Sequence, residues 1–362
     1  MTWNNIKRLH VELSSDCNAA CPNCARHPTG SYYINPTIKK GSKWTIEETK
    51  KRLPSEDLKD LEFIHINGVF GDFITNNDAI PIIRYFRESA PSAFISCNTN
   101  GSARNKKWWS ELGSIPNINV TFALDGLSDT HHLYRRDTDW HTIIENATTY
   151  INAGGYATWQ MIVFEHNKHQ IEECENISKR LGFKRFSHKN TDRPSIIVRD
   201  RNGEYSHQIN RVDVIDFNTK KTISSLRKIE ELLKSGTFNI NPKIDKLPLS
   251  DKSDCLSVSM RKVYIDSNWM VMPCCVIGSI AAQGSIDDRY NDFKKDLEDN
   301  NLLLDNFIAT DDISVRNIYE NIGFNWIIDN VTTDNIQSGC YLRCGKNSLF
   351  KNSRDKETRK NF

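Results

Sequence analysis

Hydrophobic positions along this chain follow two rhythms. Short runs rich in β-branched and aromatic residues read as strands, and longer runs with apolar residues three or four apart read as helices. Ile6 to Leu13 mixes β-branched and apolar residues with polar ones and predicts a first strand. Leu61 to Ile66, Phe94 to Cys97, Asn119 to Leu124, Ala157 to Phe164 and Phe183 to Phe186 predict five more. Helices are expected between them. One opens at the capping-box sequence Thr45-Ile46-Glu47-Glu48 and runs to about Leu53. A second covers Ala79 to Ser89, with Pro81 in its first turn. Lys106 to Leu112 stops at Gly113, and Lys168 to Leu181 stops at Gly182. Trp140 to Ala153 carries Ile143, Ile144, Ala147 and Ile151 on one face and closes at Gly154-Gly155. Strands alternating with helices imply parallel βαβ units with right-handed crossovers, an α/β fold.

The pattern changes after residue 187. From His188 to Asp254 charged and polar residues dominate, with Pro194, Pro242 and Pro248, and a helix near Ile223 to Ser235 is the only clear element expected. This stretch reads as a polar bridge with little core of its own. Lys262 to Asp266 and Trp269 to Met272 then flank Ser267-Asn268, the pattern of a β-hairpin with a two-residue turn. Residues 289–335 read as helical. The division expected is therefore 1–187, 188–254 and 255–362.

A chain of 362 residues can bury a sizeable core as one large domain or two ordinary ones. Its 48 basic and 46 acidic residues leave a net charge of +2, which gives no global field toward nucleic acid. No apolar run approaches membrane-spanning length and no signal peptide is evident, so a cytoplasmic location and no membrane partner are expected. Ten cysteines in such a chain suit metal thiolates in a reducing compartment better than disulfides. Cys97 and Cys174 stand apart and are expected as buried small hydrophobes.

The chemistry concentrates in Cys17-Asn18-Ala19-Ala20-Cys21-Pro22-Asn23-Cys24. Three thiols on one short loop after the first strand can converge on one inorganic centre. A closed zinc site or a fully protein-ligated iron–sulfur cube takes four ligands, so three leave one position open for a small molecule. A zinc knuckle completed by a distant ligand such as His27 is the bland alternative.

This CxxxCxxC loop resembles the signature of the radical S-adenosylmethionine (SAM) superfamily. The resemblance implies a partial (β/α)6 barrel over about residues 1–187. It implies a [4Fe–4S] cluster on Cys17, Cys21 and Cys24, with the SAM amine and carboxylate on the fourth iron. One electron then cleaves SAM to methionine and a 5′-deoxyadenosyl radical. Cofactor contacts implied by the same resemblance are Asn23 in the loop, Gly71-Asp72 where relatives have Gly-Glu, Asn98 and Thr99 at the third strand's end, and Asp125 after the fourth strand. Arg135 is expected on the SAM carboxylate, with Arg136 as fallback, and Ala123 replaces a serine common in relatives.

A cysteine before the hairpin, one or two at its end and a distal Cys-x3-Cys resemble the SPASM/twitch auxiliary domain. Cys255, Cys274, Cys340 and Cys344 suffice for one auxiliary [4Fe–4S] cluster, Cys275 being an alternative to Cys274. The further cysteines of a full SPASM set are absent, which favours twitch. Relatives usually have glycine in the hairpin turn, and Asn268, which tolerates positive φ, is expected to replace it. Zinc on the same four thiols is the alternative.

The function implied is hydrogen abstraction from a substrate C–H bond. The substrate is a peptide, a protein or a small molecule, and the electron comes from a donor such as flavodoxin or ferredoxin. Glu165, His166 and Asp266 are candidate acid or base groups. The rivals are a nucleic-acid-modifying radical SAM enzyme and a non-catalytic zinc-thiolate protein.

Overall fold

In β1 (Arg8–Val11), Leu9 and Val11 are buried in the main hydrophobic core, while His10 between them points to the opposite face. The same alternation runs through β2 (Phe63–Ile66), β3 (Phe94–Thr99), β4 (Ile118–Ala123) and β5 (Tyr156–Val163). Ile64, Ile66, Ile95, Cys97, Val120, Phe122 and Trp159 carry the apolar side. Fully burying a side chain of this size is worth roughly 1.5–3 kcal/mol, so this face binds the sheet to its helices. Register aligns the other face in polar rows: His10, His65, Ser96 and Asn119 in one, Asn98, Thr121 and Thr158 in the next. Parallel strands buried on both faces read as nearly continuous apolar runs. These do not, because one face of the sheet carries the polar rows.

The computed structural model describes residues 2–27, 30–191, 195–212, 257, 260–283, 288–321 and 327. With β6 (Arg185–Asn190), the six strands pair in parallel and in chain order. The helices are α1 (Ile46–Arg52), α2 (Ser55–Leu58), α3 (Ala79–Ser89), α4 (Lys106–Gly113), α5 (His131–Tyr134), α6 (Trp140–Asn152) and α7 (Ile171–Arg180). Thr45 forms the expected capping box with Glu48. β6 begins two residues later than its sequence pattern indicates and runs to Asn190.

Two features depart from expectation. The polar bridge contains a hairpin, β7 (Ile196–Arg199) and β8 (Tyr205–Ile209), that its charge density conceals. Val198 and Ile209 are both 1% exposed, so it does contribute core. The expected hairpin is present as β9 (Lys262–Ile265) and β10 (Val271–Met272), but residues 266–270 connect the strands in place of the two-residue turn expected. It extends the same sheet, β9 lying parallel to β1 and giving the order β10-β9-β1-β2-β3-β4-β5-β6. Its left-handed residue is Trp269 (φ 66°), not Asn268. Asp266 Oδ1 accepts from the Asn268 and Met270 amides, at 2.7 and 2.9 Å, and fixes the turn. A Trp44–Trp269 stack with centroids 3.7 Å apart holds the strained residue in place.

Beyond the hairpin lie α8 (Cys275–Gln283), α9 (Asp288–Asp299) and α10 (Val315–Glu320), the last two within the stretch read as helical from about residue 289. The helix expected near residues 223–235 lies outside the described residues, as do Cys255, Cys340 and Cys344. Among the described residues no helix is long and apolar enough to cross a membrane.

Candidate cofactor site at the carboxyl ends of the strands

The cysteine loop leaves the carboxyl end of β1, where parallel α/β sheets gather ligands. Cys21 is buried with Ala19, Tyr134, Phe164, Val198 and Ile209, and half-buried Cys17 and Cys24 pack against this cluster. The β7–β8 hairpin thus covers one side of the loop. Arg136 secures it: Nε donates to the Ala20 carbonyl at 2.7 Å and Nη2 to Ser31 at 2.9 Å. Nη1 reaches Gly30 at 3.2 Å and Arg199 at 2.8 Å. Its guanidinium also lies over the Tyr32 ring.

Three N–H groups point at sulfur. The Ala19 amide is 3.4 Å from Cys17 Sγ, Arg135 Nη1 is 3.7 Å from Cys21 Sγ, and Asn100 Nδ2, which also donates to Asn18 Oδ1 at 2.9 Å, is 3.7 Å from Cys17 Sγ. Each of the two side-chain donors is backed by a buried carboxylate. Asp72 Oδ2 accepts from Asn100 N at 2.7 Å, Asn100 Nδ2 at 2.8 Å and Thr99 Oγ1 at 3.1 Å. Its Oδ1 accepts from Ile74 N at 3.2 Å. Asp125 Oδ2 pairs with Arg135 Nε at 2.6 Å, while Oδ1 takes the Ile162 amide at 2.6 Å.

Burial dominates the proton affinities. It raises the Cys17 thiol, helped by Asp72 and Cys21, and raises Cys21 against the opposing pull of Arg135. Burial lifts Asp72 to about 6 despite its donors. For Arg135 burial acts downward, but Asp125 and Cys21 outweigh it, so the guanidinium stays charged. His131 is pushed down to about 3 by burial and by Arg135. Its Nδ1 accepts the Asp125 amide at 3.2 Å, so hydrogen-bond logic puts the ring proton on Nε2, facing Thr138 Oγ1 at 3.1 Å.

The remaining sequence candidates fall in different places. Gly71 is needed by the fold: a Cβ there would stand 1.9 Å from the Ser14 carbonyl, where the loop after β2 meets the loop after β1. Asn98 and Ala123 are half-buried on the polar face, and Asn23 is half-buried in the cysteine loop. His27 Nδ1 is 3.2 Å from the Tyr33 carbonyl. Glu165 forms a surface pair with Lys168. The ring of His166 stacks on Phe164, and Asp266 is spent on its turn. Cys274 and Cys275 are half-buried at the start of α8, and Cys97 and Cys174 are fully buried, as lone thiols should be. Among the described residues no three or more His, Cys, Asp or Glu side chains are grouped tightly enough to hold a metal ion.

Three contributors are missed or ranked second in the sequence reading. Asn100 stands beside the chosen pair Asn98 and Thr99, and Arg136 ranks there only behind Arg135. Glu12, 1% exposed, receives a short hydrogen bond from Tyr264 of β9. A carboxylate between the apolar Val11 and Leu13, five residues before the first cysteine, is its signal.

No family model matches the chain, and no curated protein does. Solved structures do. A histidine-tagged anSMEcpe with bound AdoMet aligns over 98% of this chain and 96% of its own, at 14% identity and a TM-score of 0.52. The fold resembles that of anSMEcpe. Streptococcus suis SuiB bound to S-adenosylmethionine matches at 14% identity and TM-score 0.47, over 75% of this chain. The match covers 60% of SuiB, so this chain spans about three fifths of that protein. BtrN in complex with AdoMet and 2-DOIA matches at 11% identity and TM-score 0.41, over 95% and 94% of the two chains.

Proposed function

We propose that this chain is a radical SAM enzyme. The observation that carries the reading is the cysteine loop at the carboxyl ends of the strands, with N–H donors aimed at the sulfurs of Cys17 and Cys21. Donors converging on sulfur suit thiolate, the metal-ligating form. A cubane offers each thiolate a different iron, so its ligands stand farther apart than those of one tetrahedral ion. Cys17, Cys21 and Cys24 would hold a [4Fe–4S] cluster, which when bound supplies the electron that breaks a C–S bond of SAM. The anSMEcpe structure that shares this fold is described with bound AdoMet, which supports the cofactor.

The chain's own residues bind, orient and exclude water. Asn98 lies on the polar face at the mouth, and Ala123 leaves space there. Arg135, held through Nε, keeps Nη2 without a partner among the described residues, so it can still meet a carboxylate. Asp72 is different. Its oxygens already accept four hydrogen bonds, so we assign it and Thr99 to bracing rather than to the SAM amine. Arg136, filled by carbonyls, is likewise not a cofactor contact.

We assign residues 1–187 to the barrel, 188–254 to a bridge and 255–362 to a twitch-like segment. Cys255, Cys274, Cys340 and Cys344 would hold an auxiliary [4Fe–4S] cluster there. The substrate is a peptide, protein or small molecule, and the electron donor a flavodoxin or ferredoxin in the cytoplasm. Anaerobic purification should yield about eight irons per chain, and a strong reductant with SAM should release 5′-deoxyadenosine. Zinc in place of iron, or no deoxyadenosine from iron-loaded protein, would sink the reading.

A further inference from the structure

Asp72 and Asp125 stand in the loops after different strands, β2 and β4, yet each does the same thing. Asp72 holds Asn100 by its backbone amide and by one Nδ2 hydrogen, and the other Nδ2 hydrogen is shared between Asn18 Oδ1 at 2.9 Å and Cys17 Sγ at 3.7 Å. Asp125 holds Arg135 by Nε, and Nη1 lies 3.7 Å from Cys21 Sγ. Both carboxylates are buried, Asp72 at 6% exposure and Asp125 at 0%. Each is also fixed by the amide of a different segment, Ile74 for one and Ile162 for the other. Neither donor is free to swing away from its sulfur without breaking a buried bond.

We propose that Asp72–Asn100 and Asp125–Arg135 are two carboxylate-anchored donor relays that set the electron affinity of the cluster on Cys17 and Cys21. The proposal rests on the cluster reading above. Its physical basis is general. Reducing an iron–sulfur cluster adds negative charge that spreads onto its sulfurs, and hydrogen bonds to those sulfurs raise the reduction potential. Fixed donors beyond the ligands tune a metal centre most when their own partners hold them still. Asn100 contributes a neutral dipole, and Arg135 a dipole with a full charge. Asp72, Asn100 and Asp125 are positioning residues, and Arg135 is the SAM contact proposed above that also acts on the cluster through Cys21; only the cysteines touch the cluster.

The test is a potentiometric titration of the full chain, reconstituted anaerobically and followed by electron paramagnetic resonance. The signal to follow is the one that responds to added SAM in the wild type, and it is titrated in every variant without SAM. Asn100→Ala and Arg135→Gln should each lower the equilibrium constant for one-electron reduction about tenfold, a shift of about 59 mV to more negative potential. Arg135→Lys, which keeps the charge, should shift less than Arg135→Gln. Arg136→Lys loosens the loop through the Ala20 carbonyl, so it should lower iron content and leave the potential unchanged. A merely structural role for Asn100 and Arg135 would give the Arg136 pattern instead. Iron-loaded Asn100→Ala and Arg135→Gln that both titrate with wild type would overturn the proposal. Wild type with no SAM-responsive cubane signal would overturn the cluster reading itself.

Discussion

Glu12→Gln should remove one loss of stability that the wild type suffers as pH rises. Glu12 is buried at the end of β1, with Tyr264 donating to it and the Val69 and Phe70 amides directed at it. Burial raises its pKa from 4.5 to about 8, against the pull of those donors. Between the two values the folded state holds a proton that the unfolded chain has lost. The stability this provides is full below pH 4.5 and disappears as pH rises through 8. At about 1.4 kcal/mol per pH unit the ceiling is about 5 kcal/mol, of which about 3 kcal/mol is lost between pH 5.5 and 8. Glutamine copies the protonated acid: its NH2 can donate to the Tyr264 oxygen while its carbonyl receives the two amides. Other groups titrate too. His10 and His65 are lowered by burial, and Asp72 is raised to about 6, but all are common to both proteins and cancel in the difference. The assay is urea unfolding of metal-free wild type and variant under reducing conditions at several pH values. Wild-type stability relative to the variant should fall by about 3 kcal/mol from pH 5.5 to 8. A flat difference would refute the reasoning, and so would a variant that weakens with pH as steeply as wild type.

His131, lowered to about 3 mainly by burial, loses its stability contribution in the other direction, as pH falls below 6.5. His131→Gln should flatten the acid limb of the stability profile, read from urea midpoints, and an unchanged limb would refute this. Val198→Asp puts a charge into the cluster that includes Cys21, at a cost of several kcal/mol. Iron retention should collapse while far-ultraviolet circular dichroism keeps most of the barrel signal, and full iron loading would count against the hairpin's covering role. Trp269→Gly relieves a left-handed residue, worth roughly 1–2 kcal/mol, but removes a buried indole worth about 3–5 kcal/mol. A net loss of about 2 kcal/mol is expected in urea unfolding, and a gain would show that the Trp44 stack contributes little.

The parallel sheet was legible because its strands carry their information on the apolar face. Ile64 and Ile66, Ile95 and Cys97, Val120 and Phe122 repeat at a period of two, and each run is followed by a helix with an apolar stripe. Capping residues fixed the helix ends for the same local reason, Thr45 being the clearest. The β7–β8 hairpin was not legible, although Ile196-Ile197-Val198, a turn at Asp200 to Gly203 and Tyr205 to Ile209 spell it out. Its outward residues are mostly charged or polar, and composition averaged over the bridge outweighs the two inward side chains that matter. Trp269 was missed because the left-handed conformation there is held by a ring 225 positions away in the chain, Trp44, which no turn rule sees.

Roles within the site were the hardest to read, and the neighbours Arg135 and Arg136 show why. As sequence they are two adjacent guanidinium groups, equally able to meet a carboxylate. In the structure α5 ends at Tyr134 and Arg135 leaves the helical conformation, with φ −90° and ψ 62°, so the two side chains diverge. One enters the buried side toward Asp125 and Cys21 Sγ, where its charge is paired. The other meets the carbonyls of Ala20, Gly30, Ser31 and Arg199. Carbonyls are neutral acceptors, so the Arg136 charge acts as a clasp, and burial lowers its pKa where Asp125 keeps that of Arg135 high. What separates an electrostatic role from a mechanical one is therefore the acceptor each guanidinium meets. Those acceptors come from the end of β4, the cysteine loop and a hairpin more than 60 residues downstream, so only the folded chain brings them within reach.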